Sequence, residues 1–130
     1  MRVQIGQTGP PWEYGPLSRE DIVRFAGAAY DFVDLHYDQQ AATKAGHRTI
    51  FAHGTLVGGM LGSFLTRWFG PDCIRRLDVR FVDLVYPGDA LRAEGEVTEV
   101  ENGRAEVRLA MIVIPDRLAG SGMATVALPG

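Results

Sequence analysis

The chain has 130 residues, 46% of them hydrophobic and 22% charged, with a formal net charge of −3; this suits one compact domain spanning 1–130 that buries roughly two-thirds of its unfolded surface. Acids and bases are interspersed and no Lys/Arg run occurs, which disfavours a nucleic-acid partner or an anionic lipid surface. The single cysteine, Cys73, excludes an internal disulfide, three histidines argue against a metal centre, and no segment reaches the ~18 apolar residues of a membrane span.

The first sixteen residues, MRVQIGQTGPPWEYGP, are rich in Gly and Pro and read as an irregular arm with a short strand at Val3–Ile5. They lack the basic and apolar blocks of a secretory signal, so a cytoplasmic location is expected. A helix begins after Ser18, whose hydroxyl can accept a backbone N–H while Asp21 reaches back from the third helical position. Ile22, Val23, Phe25 and Ala26 give that helix one apolar face, and it should fray near Tyr30. A second, short helix is predicted over Asp38–Lys44, with Ala41 and Ala42 supplying propensity and Gly46 the stop.

The strongest helix is Thr55–Phe69, TLVGGMLGSFLTRWF, apolar on nearly all sides and closed by Gly70-Pro71. A helix of that kind belongs in the middle of a protein. Its Gly58, Gly59 and Gly62 lower helix propensity, which predicts close approach by a sheet or another backbone. After Pro71 the period changes to two. Leu77, Val79 and Phe81 alternate with Arg76, Asp78 and Arg80, and Leu91, Ala93, Gly95 and Val97 alternate with Arg92, Glu94, Glu96 and Thr98. Asn102-Gly103 predicts a tight hairpin, Ala105, Val107, Leu109, Met111 and Val113 continue the inward face, and a last strand runs from Ser121 to Leu128. The fold class is α+β, an antiparallel sheet of about five strands curled around one central apolar helix. Its two open edges predict a dimer or larger even assembly.

Chemistry gathers between Asp31 and Thr55. Asp31 and His36 stand five residues apart in a segment too broken for one regular helix, so a carboxylate and an imidazole can converge on one water. Gly54 opens the central helix, and its N–H can face a developing oxyanion. Taken singly, an Asp after a helix is usually a cap and a lone His is usually solvated; together with the rest of the stretch they point to acid–base catalysis. Cys73 reads as a small buried apolar residue, His47 as a surface residue, Trp68 and Tyr86 as packing residues, and Arg75, Arg76 and Arg80 as a solvated face.

The stretch from Phe25 to Gly59 resembles the hydratase motif of the MaoC-like, (R)-specific enoyl-CoA hydratase family of hot-dog proteins. The likeness runs through Phe25-Ala26-Gly27-Ala28-Ala29-Tyr30-Asp31, His36, Ala41-Ala42 and Phe51-Ala52-His53-Gly54-Thr55-Leu56, and Pro87-Gly88-Asp89 looks like the family's turn between sheet strands. Val33-Asp34 stands where Asn-Pro is usual, and Tyr30 where Gly is usual. The resemblance implies hydration of a trans-2-enoyl thioester, or the reverse dehydration, with Asp31, His36 and Gly54 as catalytic residues. It places His53 and Thr55 on the substrate-binding side, His53 through hydrogen bonding that positions the loop. No metal and no cofactor are implied. The substrate is an acyl-CoA or acyl-carrier-protein thioester, and the partner is a second copy or a different hot-dog subunit. The chain is also similar to small MaoC-like subunits of heteromeric hydratases that act on bulky, steroid-type acyl groups. A non-catalytic domain that binds an acyl thioester or supports a partner is the alternative from another class, and thioester hydrolysis is the enzymatic rival.

Overall fold

The computed structural model describes residues 2–130. The element order is β1 (Trp12–Tyr14), α1 (Arg19–Ala29), a short 3-10 turn (Asp34–His36), α2 (Gln39–Lys44), α3 (Gly54–Phe69), β2 (Ile74–Phe81), β3 (Leu91–Glu101), β4 (Arg104–Val113) and β5 (Arg117–Ala127). All strand pairs are antiparallel, in the spatial order β1-β3-β4-β5-β2, and the curled sheet carries α3 on its concave side. The period-two pattern fixes which face turns inward. Val97, Val107 and Ala124 lie side by side across β3, β4 and β5, and all three are buried. Against them α3 sets Val57, Leu61, Phe64, Leu65, Trp68 and Phe69. Asn102 and Gly103 both have positive φ, 51° and 73°, as the tight β3–β4 hairpin requires.

Several expectations are corrected. No strand forms at Val3–Ile5; the fifth strand is Trp12–Tyr14, and the arm before it reaches β3 through a bridge between Thr8 and Glu96. Val23 is 50% exposed, because the inner face of α1 needs only Ile22 and Ala26. Strand β2 begins at Ile74 and β5 at Arg117, each earlier than the alternation suggested. Phe81 does not continue the buried face of β2 and is 54% exposed.

The central helix is also less uniformly buried than its composition implies: Thr55, Gly59, Ser63 and Arg67, spaced by four, form an exposed stripe. A Cβ at Gly59 would meet nothing within 4 Å, and at Gly58 or Gly62 only ordinary contacts of 3.8–4.0 Å. The crowding lies elsewhere. At Gly95 of β3 a Cβ would stand 2.9 Å from the Phe64 ring and 3.0 Å from Trp68, so the glycine makes room for two aromatic rings of α3. Cys73 is buried, as expected, and donates its S–H to the Leu65 carbonyl. Among the described residues no helix is long and apolar enough to cross a membrane.

Candidate active site

Asp31 is delivered by the end of α1. The helix starts in a full capping box between Ser18 and Asp21 and ends at Tyr30 in the left-handed region (φ 53°, ψ 41°). The Asp31 N–H then bonds back to the Ala26 carbonyl at 2.9 Å, which turns the chain sharply off the helix axis. Three residues later the turn Asp34–His36 closes, with the His36 N–H on Val33 and the Tyr37 N–H on Asp34, both at 3.1 Å. Asp38 caps α2 immediately afterwards through the Gln40 and Ala41 N–H groups. A helix end and a tight turn, rather than one helix, therefore set the Asp31–His36 relation.

Residues 50–53 return beneath that turn. The Phe51 N–H donates to Leu35 at 3.3 Å and the Ala52 N–H to Val85 at 2.8 Å. His36 Nδ1 lies 2.7 Å from the Phe51 carbonyl oxygen. A carbonyl only accepts, so Nδ1 carries the hydrogen and the neutral ring keeps its Nε2 lone pair. The same logic applies to His53, whose Nε2 lies 3.2 Å from the Asp31 carbonyl oxygen and must donate to it. The two imidazoles stack with centroids 3.8 Å apart and planes 22° from parallel, flanked edge-on by Phe51 on His36 and by Phe25 on His53.

One carboxylate oxygen of Asp31 and one ring nitrogen from each of His36 and His53 lie within 4.8 Å of one another. Three such donors are a minimal set for a metal ion, but nearly parallel stacked rings aim their in-plane lone pairs side by side and not at one centre. Tetrahedral ligation would require the stack to open. His53 is 1% exposed and its Nδ1 is buried without a partner. Burial holds its pKa below the ordinary histidine value, helped by neighbouring His36 and opposed by the bond to the Asp31 backbone and by the Asp31 carboxylate.

Gly54 is the first residue of α3, preceded by His53, which makes no side-chain cap. Its N–H is among the first-turn donors that have no partner within the helix. The position is tight: a Cβ there would lie 2.9–3.0 Å from the Phe81 ring, which would have to shift. Thr55 follows on the exposed stripe. The structure thus groups Asp31, His36 and His53, with Gly54 and Thr55 following His53 in the chain. His53 sits beneath the His36 ring with its one donor already engaged by the loop that carries Asp31.

Two contributors were not legible in the sequence. Phe51 sets the His36 tautomer through its backbone carbonyl, which no side-chain pattern announces. His47, expected as a plain surface residue, is half-buried and packs on the Phe51 ring at 4.7 Å between centroids. The Pro87-Gly88-Asp89 turn forms as expected and ties the arm to the site: the Gly88 N–H donates to Leu17 at 2.7 Å and the Leu17 N–H to Asp89 at 2.8 Å. Asp89 also accepts from the Tyr86 N–H and from Arg117, at 2.8 and 2.9 Å.

Six of the eleven exposed large hydrophobic side chains (Tyr30, Phe32, Val33, Tyr37, Phe81 and Val82) fall in the two segments that flank this site. Such concentration marks a binding or assembly surface. An open groove of about 1000 Å³ lies elsewhere, on the outer face of the sheet around Arg80, Arg92, Arg108 and Met123. No residue between 31 and 55 lines it and it contains no imidazole, so it is not where this chemistry is assembled.

Residues 4–114 match the family model for the MaoC like domain. The chain is 33% identical over 89 residues to the 3-oxo-4,17-pregnadiene-20-carboxyl-CoA hydratase beta subunit of Mycobacterium tuberculosis, covering 68% of this chain and 69% of that one. Among solved structures it superposes on the (R)-hydratase from A. caviae involved in PHA biosynthesis with a TM-score of 0.89 and 25% identity, covering 98% of each chain. It also superposes on a chain of the ChsH1-ChsH2 complex from Mycobacterium tuberculosis with a TM-score of 0.90 over 98% of this chain and all of that one; at 24% identity this likeness is one of fold.

Proposed function

The chain belongs to the MaoC-like dehydratase family of hot-dog proteins, and from that premise we propose that it hydrates a trans-2-enoyl thioester to the 3-hydroxyacyl thioester, or catalyses the reverse, with Asp31 and His36 as the acid–base pair. The observation that carries the reading is the pinned His36 ring. With Nδ1–H spent on the Phe51 carbonyl, Nε2 is the nitrogen left to act as a base, on a ring that has a nitrogen within 4.8 Å of the Asp31 carboxylate.

Water held between the two groups loses a proton to His36 Nε2 while its oxygen bonds to C3. The π electrons move toward the thioester carbonyl, whose developing negative charge is met by the Gly54 N–H at the positive end of α3. The imidazolium, balanced by Asp31, then returns a proton to C2, so one water is added overall. His53 acts from below by fixing the Asp31 backbone and the tilt of the His36 ring, and Thr55 borders the thioester.

The preferred substrate is a CoA thioester, and the second subunit needed to enclose the acyl group is a hot-dog chain. The exposed apolar residues beside the site support that need, since they leave the acyl side open to water. Likeness to a hydratase beta subunit favours a different partner chain, and a bulky acyl group, over self-pairing and a short one.

The test follows loss of enoyl-thioester absorbance over short, medium and polycyclic trans-2-enoyl-CoA substrates. Asp31→Asn and His36→Gln are each expected to lower kcat by about 100-fold or more with unchanged far-UV circular dichroism. A wild-type rate in either variant removes that residue from the mechanism. Release of free thiol without loss of the double bond assigns thioester hydrolysis instead.

A further inference from the structure

Resting on the hydratase reading, we propose that Arg48, held flat against the Tyr86 ring, recognises the phosphates of the CoA nucleotide. Its guanidinium carbon lies 4.1 Å from the Tyr86 centroid. Stacking occupies the face of the guanidinium and leaves the in-plane N–H fork open, which is the edge that pairs with phosphate oxygens. It also restrains an exposed side chain before any ligand arrives, so less rotamer freedom is lost on binding.

Among the described residues Arg48, like Arg19, Arg67, Arg80 and Arg104, has no carboxylate within ion-pair distance, while other arginines are paired. Arg24 pairs with Glu20, Arg76 with Asp78, Arg92 with Glu94, Arg108 with Glu96, and Arg117 with both Asp83 and Asp89. Those last two acids belong to the loop that carries Tyr86, and Arg117 has already engaged them. Among the described residues no carboxylate comes within ion-pair distance of Arg48. Residues 39–53 hold Lys44 and Arg48 but no acid, in a chain whose net charge is −3. A polyanion approaching such a chain needs a local cation to receive it.

The position suits the distal end of a thioester ligand. Arg48 adjoins His47, which packs on Phe51, the residue whose carbonyl pins His36. Its platform is anchored to the same segment, because the Ala52 N–H donates to Val85, next to Tyr86. The cation therefore adjoins the framework that orients the base.

The experiment compares a polycyclic trans-2-enoyl-CoA with the same enoyl group on pantetheine, which lacks every phosphate, on the purified assembly. Arg48→Ala is expected to raise KM for the CoA thioester about tenfold, with kcat and the pantetheine KM unchanged and with the penalty shrinking at high salt. Tyr86→Leu should raise the same KM by about threefold, since it removes the platform and keeps the charge. Arg80→Ala should change neither value. Equal penalties on both thioesters, no penalty, or an equal penalty from Arg80→Ala overturns the proposal. If the wild type turns over neither thioester, the hydratase reading fails, and calorimetric titration with CoA itself decides the phosphate contact: equal affinity in wild type and Arg48→Ala overturns it, weaker binding in the variant supports it.

Discussion

His53 is the one buried polar side chain among the described residues, and its protonation couples the site to the stability of the fold. The native state holds its pKa below the ordinary value, chiefly by burial. When pH falls through the ordinary histidine range, the unfolded chain takes up a proton that the native chain refuses, so unfolding is favoured by acid. The stabilising contribution is thus complete above the ordinary value and declines as pH falls toward the depressed one. Thermal melts between pH 7.5 and 5 are expected to show a falling Tm, and His53→Leu should flatten that fall even if it lowers Tm overall. Identical slopes in the two proteins would sink the assignment. His53, Asp31 and His36 were recognisable in sequence as a group. The division of labour was not, because it depends on which carbonyl each ring nitrogen meets, and those carbonyls belong to residues 31 and 51.

At the level of elements, the two main helices begin in opposite ways, and the difference bears on function. Helix α1 closes its first turn with the reciprocal Ser18–Asp21 box, and the backbone bond to Ser18 holds the Asp21 carboxyl below its usual range, followed by the bond from the Ser18 hydroxyl. Helix α3 starts at His53-Gly54 without a side-chain cap, which leaves first-turn N–H groups for a ligand. Its stability comes from burying six large or branched side chains in the sheet's concave face. Ser18→Ala should therefore cost about 1 kcal/mol in urea unfolding, with kcat unaffected if α1 only carries Asp31 into place. A loss much below that would mean the box is not formed in solution. The signals for α1, α3 and the β3–β4 hairpin were readable because they are local. The strand at Trp12–Tyr14 was not, because three residues flanked by Gly and Pro form a strand only where β3 offers an edge.

Among the features facing solvent are the outer edge of β2, a strand paired only with β5, and the apolar cluster of Tyr30, Phe32, Val33, Tyr37, Phe81 and Val82. Phe81 joins them, since it ends β2 and its ring lies against Gly54. A second hot-dog subunit covering both would protect the edge and enclose the acyl group together. Native mass spectrometry is expected to show an assembly of two or more chains, and Phe32→Glu should shift it toward monomer while raising KM for long or polycyclic enoyl-CoA. A wild-type chain that is monomeric and fully active at assay concentration would refute this. The sequence alone determined the α+β class, the central helix and the sheet of about five strands, because apolar period, capping chemistry and turn residues act over a few neighbouring positions. Only the tertiary structure decided that Phe51 fixes the His36 tautomer, that His53 lies under His36, that Phe81 covers Gly54 and that Arg48 rests on Tyr86. Those contacts join residues 15 to 38 positions apart, and such pairings exist only once the sheet has closed around α3.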